Sequence, residues 1–207
     1  MDDRFDKWIS WAVELQALSQ AGLFYGHDKY DMERYQRMRE ISAEMMAAKT
    51  DLPLDRVTEL FCADSGYQTP KIDTRAAIFK EDRVLLVHET GGGWVLPGGW
   101  CEIGLSPAEN AVKEAKEESG LDVTVKKLIA VHDRAKHNRP KEIHPSVKMF
   151  FLCEAVGGEF TPNIETCESG WFEENALPDM DERKCTAEQV RLCFKAHRAA
   201  VWEAVFD

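Results

Sequence analysis

Gly99-Trp100-Cys101-Glu102-Ile103-Gly104-Leu105-Ser106-Pro107-Ala108-Glu109-Asn110-Ala111-Val112-Lys113-Glu114-Ala115-Lys116-Glu117-Glu118-Ser119-Gly120-Leu121 begins as a loop and continues as a helix. Ser106 with Glu109 three residues later makes a capping box, and Pro107 suits the first helical position, where no N–H is needed. Gly120 marks the other end, because a residue without Cβ adopts the left-handed cap cheaply. Ala108, Ala111, Val112 and Ala115 recur at i, i+3, i+4 and i+7, a stripe of small side chains that lets the helix lie close to a sheet. Glu114, Glu117 and Glu118 recur at i, i+3 and i+4 on a different face. Like charges at that spacing destabilise a helix by roughly 0.2–0.5 kcal/mol per pair, and acids in its C-terminal half oppose the macrodipole. A solvated acidic face is the commonest fate of such residues. The alternative is a hard-cation site, since a divalent ion placed among carboxylates turns repulsion into ligation.

Outward from this helix the pattern is layered. Glycines at 91–93 and 98–99 mark loops. Thr74 to Phe79 and Val84 to His88 are expected as short strands around the turn Glu81-Asp82-Arg83. Further strands are predicted near Val123–Val131, Val147–Cys153 and Gly170–Phe172. A last helix is expected over about Ala187 to Val205, with apolar residues at Val190, Phe194, Val201 and Val205. Strands and helices around one glycine-rich loop point to an α/β layered domain over residues 71–207. The first third is different. Trp8, Trp11, Ala12, Leu15 and Leu18 recur at helical spacing, with a turn around Gly22 to Asp28. Tyr35, Met38, Ile41, Met45 and Met46 suggest a second helix, and Asp51-Leu52-Pro53 opens a third through Val57, Leu60 and Phe61. Such stripes read as packing, so residues 1–65 are expected to be a helical module, joined through an Asp64–Pro70 linker. The fold class is α+β.

Composition excludes several functions. The 207 residues carry 37 acids against 26 bases, a formal charge of −11 and a pI near 5.1, so a nonspecific nucleic-acid coat is not expected. No run of 18 apolar residues occurs, so no membrane span is expected. Met1-Asp2-Asp3-Arg4 has no basic n-region or apolar stretch, so no secretory signal is expected. The six cysteines (62, 101, 153, 167, 185 and 193) contain no CxxC pair, which argues against a disulfide framework or a zinc knuckle. The expectation is a reduced, cytoplasmic protein.

The Gly99–Leu121 segment resembles the Nudix box, G-x5-E-x7-R-E-U-x-E-E-x-G-U, with U a bulky aliphatic residue. Gly99, Glu114, Glu117, Glu118, Gly120 and Leu121 match in register. Leu105 replaces the first glutamate, Lys113 the arginine, and Ala115 a bulkier residue. Lys113 keeps the charge but loses the guanidinium fork, and Glu102, in the same loop as Leu105, is a candidate to replace the lost carboxylate. The resemblance implies an α/β/α sandwich with a mixed sheet. It implies Mg²⁺ or Mn²⁺ held by Glu114, Glu117, Glu118 and the Gly98 carbonyl, with Glu117 also among the catalytic residues. It implies hydrolysis of a nucleoside diphosphate linked to X, the metal neutralising the diphosphate and activating a water. The general base in this family often precedes a Trp-Phe pair. Here that pair is Trp171-Phe172, and Glu165 is preferred, with Glu168 second.

Residues 132–148 carry Arg134, Lys136, Arg139, Lys141 and Lys148 against Asp133 and Glu142, a net of +3 that leaves −14 for the remaining 190 residues. This loop either grips a diphosphate or X, through Arg134, Lys136 and Arg139, or is a solubilising hairpin tip. His132, His137 and His144 there fit no zinc spacing. Arg75, on the first strand, requires an anion if buried, which suggests substrate. Trp94 and Trp100 flank the glycine loop and either pack or stack a base.

Upstream, Gln16-Ala17-Leu18, Gly22-Leu23-Phe24-Tyr25 and Tyr30-Asp31-Met32-Glu33-Arg34-Tyr35, with Arg39-Glu40-Ile41, resemble the helical module of one Nudix subgroup. Those enzymes act on ADP-ribose, CDP-choline and related compounds. Val95-Leu96-Pro97-Gly98-Gly99-Trp100, and Asp133-Arg134 with Lys136-His137-Asn138-Arg139-Pro140, fit the same subgroup, which implies a homodimer. The expected function is a divalent-metal-dependent pyrophosphohydrolase of CDP-choline or ADP-ribose, yielding a nucleoside monophosphate and phospho-X. A degenerate nucleotide-binding module and an RNA-end hydrolase are the alternatives.

Overall fold

The computed structural model describes residues 3–50, 52–140 and 145–207. Asp51, and Lys141, Glu142 and His144 of the basic loop, lie outside the described residues. The chain divides into two compact units, Met1–Pro70 and Lys71–Asp207. No helix among the described residues is long and apolar enough to cross a membrane.

The first unit holds α1 (Asp3–Tyr25), α2 (Lys29–Ala47) and α3 (Leu54–Phe61). Helix α1 runs through Gly22 rather than turning there. The Tyr35 ring lies where a Cβ at residue 22 would stand, so the glycine permits close helix contact. The turn follows at Gly26, and Asp28 caps α2 by accepting from the Tyr30 and Asp31 N–H groups. The buried face of α1 is small and polar: Ala12, Gln16, Ser19 and Gln20. Gln20 Nε2 donates to the Gly66 carbonyl at 3.0 Å and the Cys62 thiol to Gln16 Oε1 at 3.3 Å. Trp8, Trp11 and Leu18, expected as packing, are therefore exposed, at 42%, 48% and 56%.

The second unit contains β1 (Lys71–Lys80), β2 (Arg83–Glu89), β3 (Trp94–Val95), α4 (Pro107–Ser119), β4 (Leu121–Asp133), α5 (Arg134–His137), β5 (Ser146–Gly158), β6 (Thr166–Phe172), α6 (Ala187–Arg198) and β7 (Val205–Phe206). The seven strands form one mixed sheet ordered β3-β2-β1-β5-β4-β7, with β6 on β2. β1 and β5 run parallel, whereas β4 is antiparallel to β5 and β2 to β1. Alternate residues serve opposite faces. Ala76, Ile78, Phe151 and Cys153 pack with Ala111 and Ala115 of α4. Ala77, Leu86, Phe150 and Ile129 pack with Val190, Cys193 and Phe194 of α6. The result is helix, sheet, helix: an α+β sandwich, as expected.

The capping box and the glycine cap of α4 form as read, Gly120 with φ 72°. The last helix is shorter than expected, ending at Arg198. Trp202 Nε1 then donates to the Ile129 carbonyl at 3.0 Å, and Val205–Phe206 pairs with Ala130–Val131 as a sheet edge. An indole hydrogen bond and two strand residues compete successfully with one more helical turn.

Candidate active site

Helix α4 is anchored through its small face. Asn110 Nδ2 donates to Thr74 Oγ1 at 2.9 Å, and its Oδ1 accepts the Glu102 N–H at 3.0 Å. One asparagine thus ties helix, strand and incoming loop. With that face on the sheet, Glu114, Glu117 and Glu118 border a cleft of about 600 Å³, a volume suited to a small ligand. Glu114 and Glu118 are buried; Glu117 is exposed.

Gly98 has φ 149°, and any side chain there would collide with the Thr74 carbonyl oxygen. Its N–H donates to Glu118 Oε2 at 2.9 Å. Burial pushes Glu118 up to about 7, against the downward pull of the Arg75 charge and the Gly98 N–H. Burial also raises Glu114, opposed by Lys113. Lys113 lies 3.3 Å from Glu102 Oε1 and 3.9 Å from Glu114 Oε1 and contacts Glu117. Glu102 therefore meets the box through Lys113, while Leu105 is partly buried.

The C-terminal carbonyls of α4 are satisfied from a neighbouring loop. Asn163 Nδ2 donates to the Glu117 carbonyl at 2.8 Å and Thr166 Oγ1 to that of Glu118 at 2.7 Å. Asn163 Oδ1 accepts the N–H groups of Glu165 and Thr166, and the Thr90 N–H donates to the Glu165 carbonyl at 2.8 Å. These bonds hold Glu165 at the cleft. Glu168 lies on β6 opposite His88 and is not among the cleft residues.

The cleft also reaches Asp73, Arg75 and Lys148, all buried. Asp73 and Lys148 are register partners on β1 and β5. Arg75 Nε and Nη2 donate to the two Asp73 oxygens at 2.7 and 2.9 Å, and Lys148 Nζ donates to Asp73 Oδ2 at 2.9 Å. The two cations hold Asp73 below the usual carboxylate range in spite of its burial. Burial, reinforced by Arg75, pushes Lys148 down to about 8. The anion that buried Arg75 requires is Asp73, which corrects the inference of substrate from its burial.

Arg134, Arg183 and Lys184 also line the cleft. Arg134 gives Nη1 to the Pro140 carbonyl at 2.9 Å and Nη2 to that of Arg183 at 3.0 Å. Arg183 grips Asp181 with two nitrogens, and Lys184 contacts Glu89. Lys136 and Arg139, expected beside Arg134, are exposed and are not among the residues lining the cleft. Two residues on a helical turn point about 200° apart, so burying Arg134 sends Lys136 outward. His132 and His137 stack at 3.8 Å, with His137 Nε2 2.8 Å from Asp207 Oδ1. Trp94 packs edge-on against His88 and Phe172. Trp100, bridged to Asp73 through the backbone, lies at the cleft 48% exposed.

The sequence counts Lys148 only as one charge of the basic loop, and it does not single out Asp73, Asn110, Asn163, Arg183 or Lys184. Asp73 was legible, because i and i+2 on a strand share a face with Arg75. The others depend on long-range pairing.

The donor set suits a hard divalent cation: carboxylate oxygens from three glutamates, two of them buried and raised in pKa. Among the described residues, no three His, Cys, Asp or Glu side chains form a ready-made cage. Mg²⁺ typically takes one or two carboxylates, with waters and substrate phosphates completing its shell, and the cleft leaves room for these.

Residues 6–61 match the family described as UDP-X-like, N-terminal oligomerisation domain, and residues 69–193 match the NUDIX domain. YjhB of Bacillus subtilis (strain 168), which carries a provisional ADP-ribose pyrophosphatase name, is 42% identical over 202 residues, 97% of each chain. The crystal structure of an ADP-ribose pyrophosphatase from Streptococcus suis is 50% identical, with a TM-score of 0.63, covering 67% of this chain and 100% of that one. The structure of a UDP-X diphosphatase is 31% identical, with a TM-score of 0.64, covering 98% of this chain and 99% of that one.

Proposed function

The chain belongs to the NUDIX family and is a hydrolase of phosphoanhydride bonds, and from that premise we propose that it splits a nucleoside diphosphate linked to X into a nucleoside monophosphate and phospho-X. ADP-ribose and CDP-choline are the leading substrates, and the relatives' names favour the first. One observation carries the reading: Glu118 is buried, held by the Gly98 N–H, and shares a helical turn with Glu114 and Glu117 at the mouth of a cleft.

Glu114, Glu117 and Glu118, with the Gly98 carbonyl, are the residues that would hold Mg²⁺ or Mn²⁺. When bound, the cation neutralises the diphosphate and lowers the pKa of a water. Glu165, fixed by Asn163 and Thr90, accepts a proton from the attacking water. The water oxygen forms a bond to one phosphorus while the bridging P–O bond breaks, so one water is consumed per cleavage. Lys113 orients Glu114 and Glu117 and neutralises part of their repulsion.

Two copies of the chain acting as a homodimer complete the proposal. The first unit matches an oligomerisation domain, and Trp8, Trp11, Leu15 and Leu18 of α1 with Met45 of α2 line an apolar groove of the kind a second copy covers. Action in the cytoplasm fits a chain whose six cysteines include no CxxC pair. The test is incubation with Mg²⁺ or Mn²⁺ and ADP-ribose or CDP-choline, with products resolved chromatographically. AMP with ribose 5-phosphate, or CMP with phosphocholine, is the expected result. Nucleotide binding without turnover would replace the proposal by a binding module.

A further inference from the structure

The ammonium of Lys113 stands among carboxylates. Its Nζ contacts Glu117, lies 3.3 Å from Glu102 Oε1 and 3.9 Å from Glu114 Oε1. Lys113 and Glu117 are i and i+4 on α4, the spacing at which such pairs meet. Glu102 reaches the same ammonium because its backbone is tied to the helix. Its N–H donates to Asn110 Oδ1 at 3.0 Å, and its carbonyl accepts from the Leu105 N–H at 3.2 Å. Asn110 precedes Lys113 by three residues, so the tie lies about one helical turn from the ammonium. An ammonium is a point charge with three donors on a flexible stem, and it can pass from one carboxylate to another. A guanidinium fork would give up a fixed pair of hydrogen bonds in doing so.

We propose that Lys113 competes with the divalent ion for Glu117, and that Glu102 receives the ammonium when the ion binds, so that Glu102 strengthens metal binding without being a ligand. The inference rests on the reading of Glu114, Glu117 and Glu118 as the residues that hold the ion. Two cations at one carboxylate repel each other, and the repulsion doubles when one of them is divalent. Glu117 is the acid at which they meet, since Glu118 gives Oε2 to the Gly98 N–H and Glu114 stands farther from the ammonium. Glu102 and Glu117 are both exposed, so the ammonium can swing between them. Among the described residues, Lys113 is the one cation paired with Glu102. Glu102 thus offsets the carboxylate lost at Leu105 by holding the lysine rather than the ion.

The test is Mn²⁺ binding to the full chain, followed by paramagnetic resonance at about 0.15 M salt. It compares wild type, Lys113→Met, Lys113→Arg, Glu102→Gln and the double variant Glu102→Gln with Lys113→Met. Lys113→Met is expected to lower the Kd about three- to tenfold, and Lys113→Arg, which keeps the charge, to bind no more tightly than wild type. Glu102→Gln is expected to raise the Kd about threefold or more alone, and less than about twofold in the Lys113→Met background. An unchanged Kd in Lys113→Met or in Glu102→Gln, or tighter binding in Lys113→Arg, would overturn the inference while leaving the acids of α4 as the metal holders. So would an equal loss on removing Glu102 in both backgrounds, which would make Glu102 a ligand itself. No Mn²⁺ binding by wild type would overturn both readings.

Discussion

Replacing Glu118 by Gln is expected to make the metal-free protein more stable and catalytically dead. The wild-type carboxyl is buried and its pKa is raised from 4.5 to about 7. At about 1.4 kcal/mol per unit, the buried charge destabilises the metal-free fold on the order of 3 kcal/mol above pH 7. The sign follows from linkage: between pH 4.5 and about 7 the folded state binds the proton and the unfolded chain does not, so stability falls as pH rises through that window. Glutamine keeps an acceptor for the Gly98 N–H and carries no charge. Urea denaturation in EDTA at pH 5 and pH 8 measures the difference. Wild type is expected to be less stable at pH 8 than the variant by that amount and to recover when Mg²⁺ or Mn²⁺ is added. The variant is expected to lack this component of the pH dependence, to respond weakly to metal, and to lose at least a hundredfold in kcat. A variant less stable than wild type at pH 8 in EDTA would refute the reasoning.

Glu165→Gln is expected to lower kcat by about 100-fold or more, and Glu168→Gln to leave it within about twofold; steady-state rates with ADP-ribose decide, and the reverse order would move the base to Glu168. Gly98→Ala forces a side chain into the Thr74 carbonyl at φ 149° and is expected to destabilise by about 3 kcal/mol or more, read from the urea midpoint. Asn163→Ala removes the side-chain donor to the Glu117 carbonyl and the acceptor that shapes the Glu165 turn. It is expected to cost about 1–2 kcal/mol of stability and at least tenfold in kcat, whereas an unchanged kcat would detach Glu165 from the site.

The parts of the fold legible in the sequence are those set by local signals. The boundaries of α4 follow from Ser106, Pro107, Glu109 and Gly120, four residues whose preferences are backbone properties. The small stripe at Ala111 and Ala115 showed which face meets the sheet. Other features are set by distant partners and have no local signature. Trp8 and Trp11 have the spacing of a buried stripe, yet the polar face of α1 is the buried one, because Gln16 and Gln20 find partners at Cys62 and Gly66. Val201 and Val205 continue a helical period past Arg198, but Trp202 finds a carbonyl on β4 first. Within the site, the acids of α4 were visible as a pattern. The floor was not: Asp73 meets Lys148 only through the parallel register of β1 and β5. The two candidate bases differ by three positions, and their separation in space depends on Asn163 binding the end of α4. Arg134 and Lys136 looked equivalent as charges, and one helical turn sends them opposite ways.

The central claim, that the acids of α4 hold the divalent ion on which pyrophosphate cleavage depends, is tested most directly by titrating Mn²⁺ into wild-type and Glu114→Gln protein. Bound ion is followed by paramagnetic resonance, and AMP release from ADP-ribose is measured in the same samples. The account predicts that wild-type turnover rises in step with Mn²⁺ occupancy and that Glu114→Gln loses tight binding and turnover together. Undiminished Mn²⁺ binding and turnover in Glu114→Gln, or full wild-type turnover in EDTA, would contradict it.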